Sequence, residues 1–172
     1  EMKTNNFLML VAILAISLAG CDNEPIDVTQ CIELSGRQTE PLVLMNHITD
    51  SNIADYCVEG DFDILADVEV EPGVTILMKN GSRINVATGG SFKSVGTEEE
   101  NITIRGEEIL TSGQWESIHF RSNDTDNRLE YTNVSGGGSG QTYDGMVYIA
   151  STGYANIDHC AISFSTSHGI KC

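Results

Sequence analysis

The feature that most constrains this chain is a set of short apolar alternations that return along its length. Val68 and Val70 form one pair separated by a single residue, and Ile84 with Val86 forms another. Gly, Asn, Asp and Ser surround these pairs, and alternation with a period of two between turn residues indicates short β-strands. After residue 60 the sequence shows no sustained helical period. The chain has 17 glycines and only 3 prolines, so glycine, Asn and Asp supply the turns. The pattern predicts an all-β fold.

The alternations belong to a longer repeat. Residues 129–135 match residues 157–163 at an offset of 28, and Ile118 with its strand matches Val147 at an offset of 29. Ile170 follows Val147 by only 23 residues, a difference that an extra loop in the earlier copy would explain. A unit of about 23 residues cannot bury its apolar side alone, whereas stacked units bury their strands on one another.

The repeat therefore predicts a parallel β-solenoid after residue 60. Neighbouring strands lie about 4.8 Å apart, so the remaining residues would make about five coils and a rod about 24 Å long. The alternating Val, Ile, Leu and Phe side chains should point inward. The Gly- and Ser-rich residues 136–143 fit the extra loop.

The N-terminus has the pattern of an export signal. A polar start with one lysine precedes an apolar run over residues 7–20, which is too short to span a bilayer comfortably. The run ends in Leu18-Ala19-Gly20-Cys21, which resembles the bacterial lipobox. We expect residues 1–20 to be a lipoprotein signal peptide and Cys21 to carry lipid that anchors the chain to a membrane of the bacterial cell envelope. The alternative is an ordinary signal peptide, and the sequence leaves open which membrane and which side.

These patterns divide the chain into three parts. Residues 21–55 are predicted to be a tether and lead-in, or N-terminal cap, and residues 56–172 to be the coils. The last residues, from Ile170, stop inside a predicted strand with no capping unit to cover the core. We therefore expect the N-terminal portion of a longer protein. The alternative is that a partner or a short terminal turn covers the end.

The charge excludes one class of partner. There are 25 Asp and Glu residues against 9 Lys and Arg, a net charge of −16. Phosphate contacts need a basic surface, so the sequence predicts no nucleic-acid partner. Such a charge also disfavours other anionic partners, unless Ca²⁺ or local arginines intervene. The 40% hydrophobic content is too high for a disordered acidic tail.

The cysteines agree with export. With Cys21 lipidated, four cysteines remain, which allow three disulfide pairings in an oxidising compartment. Cys31 with Cys57 is favoured, because both precede the repeats. Cys160 and Cys172 are the other two, and the spacing of a zinc site is absent.

Residues 55–172 resemble a known superfamily. A Glu71-Pro72-Gly73-Val74 turn precedes Asn101-Ile102-Thr103-Ile104 and Trp115-x-x-Ile118-x-Phe120, a combination similar to exported bacterial right-handed parallel β-helix proteins of the pectate-lyase-like superfamily. Ser117 replaces the glycine usual before Ile118, which should be tolerable at an outward position. The resemblance implies a right-handed coil and a relation to polysaccharide lyases and hydrolases, which use acidic residues, Ca²⁺ and a basic residue.

That implication singles out three candidates for catalysis, namely His119, Arg121 and Asp158. Ser117, His119 and Arg121 should point outward from the strand whose Ile118 and Phe120 point inward. His119 and Arg121 suit anionic sugar binding or proton transfer, but a solvated strand face is the alternative. Asp158, one coil further on, is the third candidate, and with His159 it would join that site unless His159 is a buried ladder position matching Tyr131.

Two acidic groups are weak cation candidates. Asp124 and Asp126 lie in residues 122–127, a stretch rich in oxygen ligands that could bind Ca²⁺, although a surface turn is the alternative. Even spacing also suggests that a further series of acidic residues stripes one face of the first coil, namely Asp61, Asp63, Asp67, Glu69 and Glu71.

Three functions remain open from the sequence. The first is an exported, lipid-anchored β-helix that acts as a surface binding or scaffold module, toward carbohydrate or another cell-surface partner, without catalysis in this segment. The second is the N-terminal part of a polysaccharide lyase or glycoside hydrolase. The third is an adhesin-like structural stalk.

Overall fold

The computed structural model describes residues 31–140 and 145–172. The predicted signal peptide and Cys21 lie outside the described residues. The described ranges contain only strands and connecting turns. The strands are β1 (Ile32–Gln38), β2 (Leu42–Leu44), β3 (Tyr56–Ile64), β4 (Asp67–Val70), β5 (Thr75–Met78), β6 (Arg83–Val86), β7 (Ser91–Val95), β8 (Ile102–Gly106), β9 (Ile118–Phe120), β10 (Arg128–Glu130), β11 (Thr132–Ser135), β12 (Gly145–Ile149), β13 (Asn156–Asp158), β14 (Ala161–Ser163) and β15 (His168–Lys171).

The strands form two parallel sheets. The larger has ten strands in the order β14-β11-β8-β5-β3-β6-β9-β12-β15, with β1 also paired to β3, and the smaller has the order β13-β10-β7-β4-β2. Within β3, the first residues pair with β5 and the last with β6. Gly60 lies between these halves with φ +68°, a conformation that glycine adopts without strain. The larger sheet therefore has two faces that meet at this bend.

Each turn of the chain visits three faces in order. Face A contains the first halves of β1 and β3 with β5, β8, β11 and β14; face B contains their second halves with β6, β9, β12 and β15. Face C is the smaller sheet. The described strands make five turns and two strands of a sixth. The predicted all-β parallel solenoid of about five coils is confirmed, while its hand remains a prediction.

The core is built from ladders of identical positions in successive turns. On face B, Ile84 pairs with Ile118, Ile118 with Val147, and Val147 with Ile170. The repeat found in the sequence is therefore the register of the structure, and Leu129 likewise lies beside Ile157. Nearly all of these inward side chains are fully buried up to the fifth turn. Burial of contiguous apolar surface is what holds such a stack together.

The solenoid extends further toward the N-terminus than the sequence indicated. Leu34 of β1 pairs with Val58, and Leu44 of β2 pairs with Val70. Both leucines are buried. Part of the predicted lead-in or N-terminal cap, from Ile32 to Leu44, thus forms the first turn of the stack, although a single alternating pair such as Leu42 and Leu44 gives little indication of a coil.

The first turn is fastened by a covalent and a polar clamp. Cys31 and Cys57 form a disulfide with their Cα atoms 5.5 Å apart, the pairing that the sequence favoured. The buried Asp55 carboxylate accepts hydrogen bonds from three backbone N–H groups, each at 2.8 Å, those of His47, Ile48 and Thr75. These bonds hold the loop before β3 against face A, because a carboxylate buried without such donors would be costly.

Candidate functional site

The outer side of face B carries a continuous polar row. Its members occupy matching positions on successive strands, so they rise through the stack at about 4.8 Å per turn. We call this set the face-B row; it consists of Arg37, Asp63, Asn85, His119, Tyr148 and Lys171. The inward ladder uses the alternate residues of the same strands, as a period of two requires.

Neighbours within the face-B row contact one another. Asn85 donates a hydrogen bond from Nδ2 to Asp63 Oδ1 at 2.7 Å. The His119 ring meets the Tyr148 ring edge-on, with centroids 4.9 Å apart and an interplanar angle of 78°. Asn85 and His119 are only 8% and 3% exposed, whereas Asp63, Tyr148 and Lys171 are half-buried. Solvent therefore reaches the row mainly on either side of its centre.

His119 is in a setting that keeps its imidazole neutral. Burial, together with the positive charges of Arg121 and Arg83, lowers the pKa of His119 from 6.5 to about 4. At neutral pH the ring is therefore uncharged, so it can accept a proton or a hydrogen bond. A neutral histidine of this kind fits a structural member of a polar stack, and its low pKa makes it a weak general base at neutral pH.

Cations concentrate on face B, although the chain as a whole is acidic. Of the 9 Lys and Arg residues, Lys3 lies outside the described ranges, and four of the other eight lie on this face. Arg83 pairs with Asp61 at 2.6 Å and with Glu116 at 3.3 Å. Arg121, at the end of β9, is exposed and forms no ion pair with any described residue. Face B is thus a local exception to the charge of the molecule.

The structure separates the residues that the sequence grouped as catalytic candidates. Ile118 and Phe120 point inward and His119 lies on the outer row, as predicted, but Ser117 is fully buried rather than exposed to solvent. Asp158 lies on β13 of face C, a different sheet, so it does not join His119 and Arg121. The prediction of one shared site is wrong for Asp158, because the chain changes face between these strands.

His159 matches Tyr131, but it is not buried. The two rings stack with centroids 4.6 Å apart at 17°, which confirms the predicted ladder. Both residues have positive φ at the same corner of successive turns. The side chain of His159 is 56% exposed and contacts Asp158 at 3.1 Å, so the alternative of a buried position is wrong.

Asp124 and Asp126 lie in a hydrogen-bonded turn. The backbone N–H of Asp126 donates to Asp124 Oδ1 at 2.9 Å, and that of Asp124 donates to Ser122 Oγ at 3.2 Å. The buried Asn127 secures the turn, since its Oδ1 accepts a hydrogen bond from Phe92 N at 2.9 Å. Within the described ranges, no three His, Cys, Asp or Glu side chains are grouped to hold a metal ion. Ca²⁺ binding here remains a prediction.

The acidic stripe predicted for the first coil is split between two sheets. Asp61 and Asp63 lie on face B, whereas Asp67 and Glu69 lie on face C. Even spacing does not keep them together, because the chain turns between β3 and β4. Most of them instead contact the next turn: Glu69 pairs with Lys93 at 2.8 Å, and Asp67 accepts a hydrogen bond from Ser91 Oγ at 2.8 Å.

Two open, polar cavities of about 350 Å³ each lie among the loops that border face A. Neither includes a residue of the face-B row or any of the predicted catalytic candidates. The first is lined by Asn46, Thr49, Ser51, Gly73, Glu99, Glu100, Asn101 and Thr103. The second is lined by Asn80, Glu107, Glu108, Gly113 and Gln114.

Trp115 packs in the core, and the two cysteines outside the disulfide are not joined to each other. Trp115 is fully buried, and its Nε1 donates to Ser135 O at 2.9 Å. Cys160 and Cys172 are free thiols, and burial raises the pKa of Cys160. No sequence motif singles out Asn85, Tyr148 and Lys171, because only the strand register brings them into line with His119.

Residues 31–140 and 145–172 contain no helix with the length and hydropathy that a membrane crossing requires. Comparisons with protein-family models, with curated proteins and with solved structures found no match to this chain.

Proposed function

We propose that this chain is an exported, lipid-anchored β-solenoid that binds a carbohydrate polymer along face B. The observation that carries the proposal is the face-B row, which rises in register from Arg37 to Lys171. A sheet whose accessible polar groups lie in register on either side of the buried Asn85 and His119 suits an extended ligand better than a compact one. The resemblance of residues 55–172 to pectate-lyase-like proteins supports the same substrate class.

The accessible groups of face B have the chemistry that sugars require. Tyr148 offers a half-exposed ring for stacking and Asp63 offers a carboxylate for hydroxyl groups. Arg121 is exposed and can form paired hydrogen bonds with a carboxylate or sulfate on the polymer. Arg121 and the other cations of face B offset the repulsion that a net charge of −16 would otherwise impose on an acidic polysaccharide.

Binding can be measured by affinity electrophoresis of the full chain in gels that contain neutral or acidic polysaccharides. Arg121→Ala and Tyr148→Ala should each weaken binding by about tenfold, the effect of about 1.4 kcal/mol. Lys93→Ala is the matched control, because Lys93 is a half-exposed cation on face C. Equal losses in all three variants would contradict a site on face B. No retardation by any polysaccharide would favour a structural stalk.

One observation favours the second candidate, a polysaccharide lyase or glycoside hydrolase. The neutral imidazole of His119 lies near Arg121, the combination of a base and a cation that proton abstraction beside a carboxylate uses. Its 3% exposure argues against direct contact with substrate. Unsaturated products detected by ultraviolet absorbance, and lost in His119→Ala, would establish this function instead of simple binding.

The lipid anchor has a separate test. Cys21→Ala should release the protein from the membrane fraction, because the N-terminal lipid is the proposed attachment. Cys172→Ala is the control, since Cys172 is an exposed thiol at the other end of the sequence. Retention of the Cys21→Ala variant in membranes at the level of the parent chain would contradict the anchor.

A further inference from the structure

The edge between faces A and B exposes large apolar side chains. Ile109 and Leu110 are 74% and 70% exposed, the highest values among the large hydrophobic residues that the structure describes. They lie in the loop of residues 107–113 after β8. Phe164, 43% exposed, follows β14 at the same edge two turns further on. The loop of residues 107–113 lies next to the residues after β14, since a Cβ placed on Gly113 would be only 2.5 Å from Thr166 Oγ1. We call Ile109, Leu110 and Phe164 the apolar edge.

The loop that presents Ile109 and Leu110 is held in a defined shape. The Gln114 side chain accepts a hydrogen bond from Glu108 N at 2.7 Å and donates to Glu108 O and Thr111 O, each at 2.8 Å. Gly106 makes room for this amide, since a Cβ there would lie 2.6 Å from it. The exposed tip is therefore a structured projection.

Backbone conformation also indicates that the apolar edge has a role other than folding. Leu110 and Phe164 have φ values of 63° and 55°, in the left-handed region that disfavours residues with a Cβ. Glycine would relieve this strain, and neither side chain contributes to the core. Strained residues that are both apolar and exposed are explained better by a binding role than by folding.

We propose that the apolar edge inserts into the interfacial layer of the lipid bilayer to which the chain is anchored, so that the solenoid lies side-on against the membrane. Projecting aliphatic and aromatic side chains suit this layer. The carboxylate of Glu107, at the base of the same loop, is paired with Lys79 at 2.8 Å, which offsets its charge near the membrane. The net charge of −16 favours a zwitterionic surface over an anionic one.

The orientation rests on the proposed anchor at Cys21, and the chain length permits it. Residues 22–31 can span at most about 33–36 Å when extended. The loop after β8 belongs to the fourth turn, about 14 Å along the stack from the first. Both the lipid and the apolar edge can therefore reach one membrane surface.

The test separates the edge from the anchor by using the full chain with Cys21→Ser, which carries no N-terminal lipid. Flotation with phosphatidylcholine vesicles should show measurable partitioning, and Ile109→Ser with Leu110→Ser should reduce the partition coefficient at least tenfold, or about 1.4 kcal/mol. Val43→Ser with Met45→Ser is the matched control, because these residues are 50% and 48% exposed elsewhere in the first turn. That control should partition like its parent.

Leu110→Gly provides a second variant whose folding is not in question. It should keep or raise the melting temperature, since it relieves the strain at φ 63°, and it should still lower partitioning. No partitioning of the parent chain, or equal losses in both double variants, would overturn the proposal, as would partitioning that Leu110→Gly leaves unchanged. Failure of the proposed anchor would appear differently, as membrane retention of Cys21→Ala that stays at the parent level after Ile109→Ser and Leu110→Ser are added.

Discussion

The two sides of face B differ in what repeats. On the inward side, successive turns place Phe62, Ile84, Ile118 and Val147 at one position, all of them buried and apolar. On the outward side, the residues at one position differ in every turn and include a carboxylate, an amide, an imidazole and a phenol. The inward space is the same in each turn, so packing demands similar side chains. The outward side has no such demand, so its residues vary with their local contacts.

The comparison is not simply one of buried against exposed residues. His119 and Asn85 are almost as inaccessible as the inward ladder, although they lie on the outer side. Their burial depends on neighbouring side chains rather than on the core. Three substitutions, each paired with a control variant, test how far the two sides differ in their contribution to the free energy of unfolding.

The largest effect should come from the inward side. Phe120→Ala removes a fully buried ring and should lower the free energy of unfolding by about 3–5 kcal/mol, because a cavity remains in a close-packed ladder. Arg121→Ala, at the next residue but exposed, should change it by no more than about 0.5 kcal/mol. Urea denaturation of the full chain measures both. Similar losses of unfolding free energy in the two variants would contradict the difference between the inward and outward sides.

The second effect concerns the buried part of the outer row. His119 has a pKa near 4 when folded and 6.5 when unfolded, so between these values only the unfolded chain holds the proton. The stabilisation that depends on this group is therefore present above pH 6.5 and is lost as the pH falls toward 4. The free energy of unfolding decreases by up to about 3 kcal/mol over this range.

Denaturation of the parent chain and of His119→Gln across this pH range measures that contribution. The pH dependence of His119→Gln should be shallower by the stated amount, while His168→Gln, at an exposed position, should follow the parent. Parallel curves for the parent and His119→Gln would show that the imidazole is not buried in this way.

The smallest effect should come from ion pairs on the outer surface. Arg83→Ala removes contacts to Asp61 and Glu116 in the turns on either side and should cost about 1 kcal/mol, less at high salt. Lys93→Ala, whose pair with Glu69 is more exposed, should cost less. Thermal melts at low and high salt compare them. A loss that salt does not reduce would indicate that the Arg83 stem, rather than its charge, stabilises the stack.

The inner ladders could be predicted from the sequence because inward positions repeat their chemistry. Leu129 with Ile157 and Val147 with Ile170 were matched by offset alone, and the structure pairs them. The first turn was missed, since β2 offers only Leu42 and Leu44. The cluster of His119, Arg121 and Asp158 was wrong for Asp158, because offsets along the chain do not say which face a strand occupies.

The sequence by itself determined the parallel stack, its period and its inward residues, since a period-two alternation that returns at a fixed interval can be buried only by stacking. Tertiary structure alone decided which outward residues become neighbours, because strand register joins residues 20 to 35 positions apart, as it does Asn85, His119 and Tyr148. It also decided the exposure of Ile109 and Leu110. Their loop is shaped by the Gln114 side chain between turns, and a local pattern does not reveal such contacts.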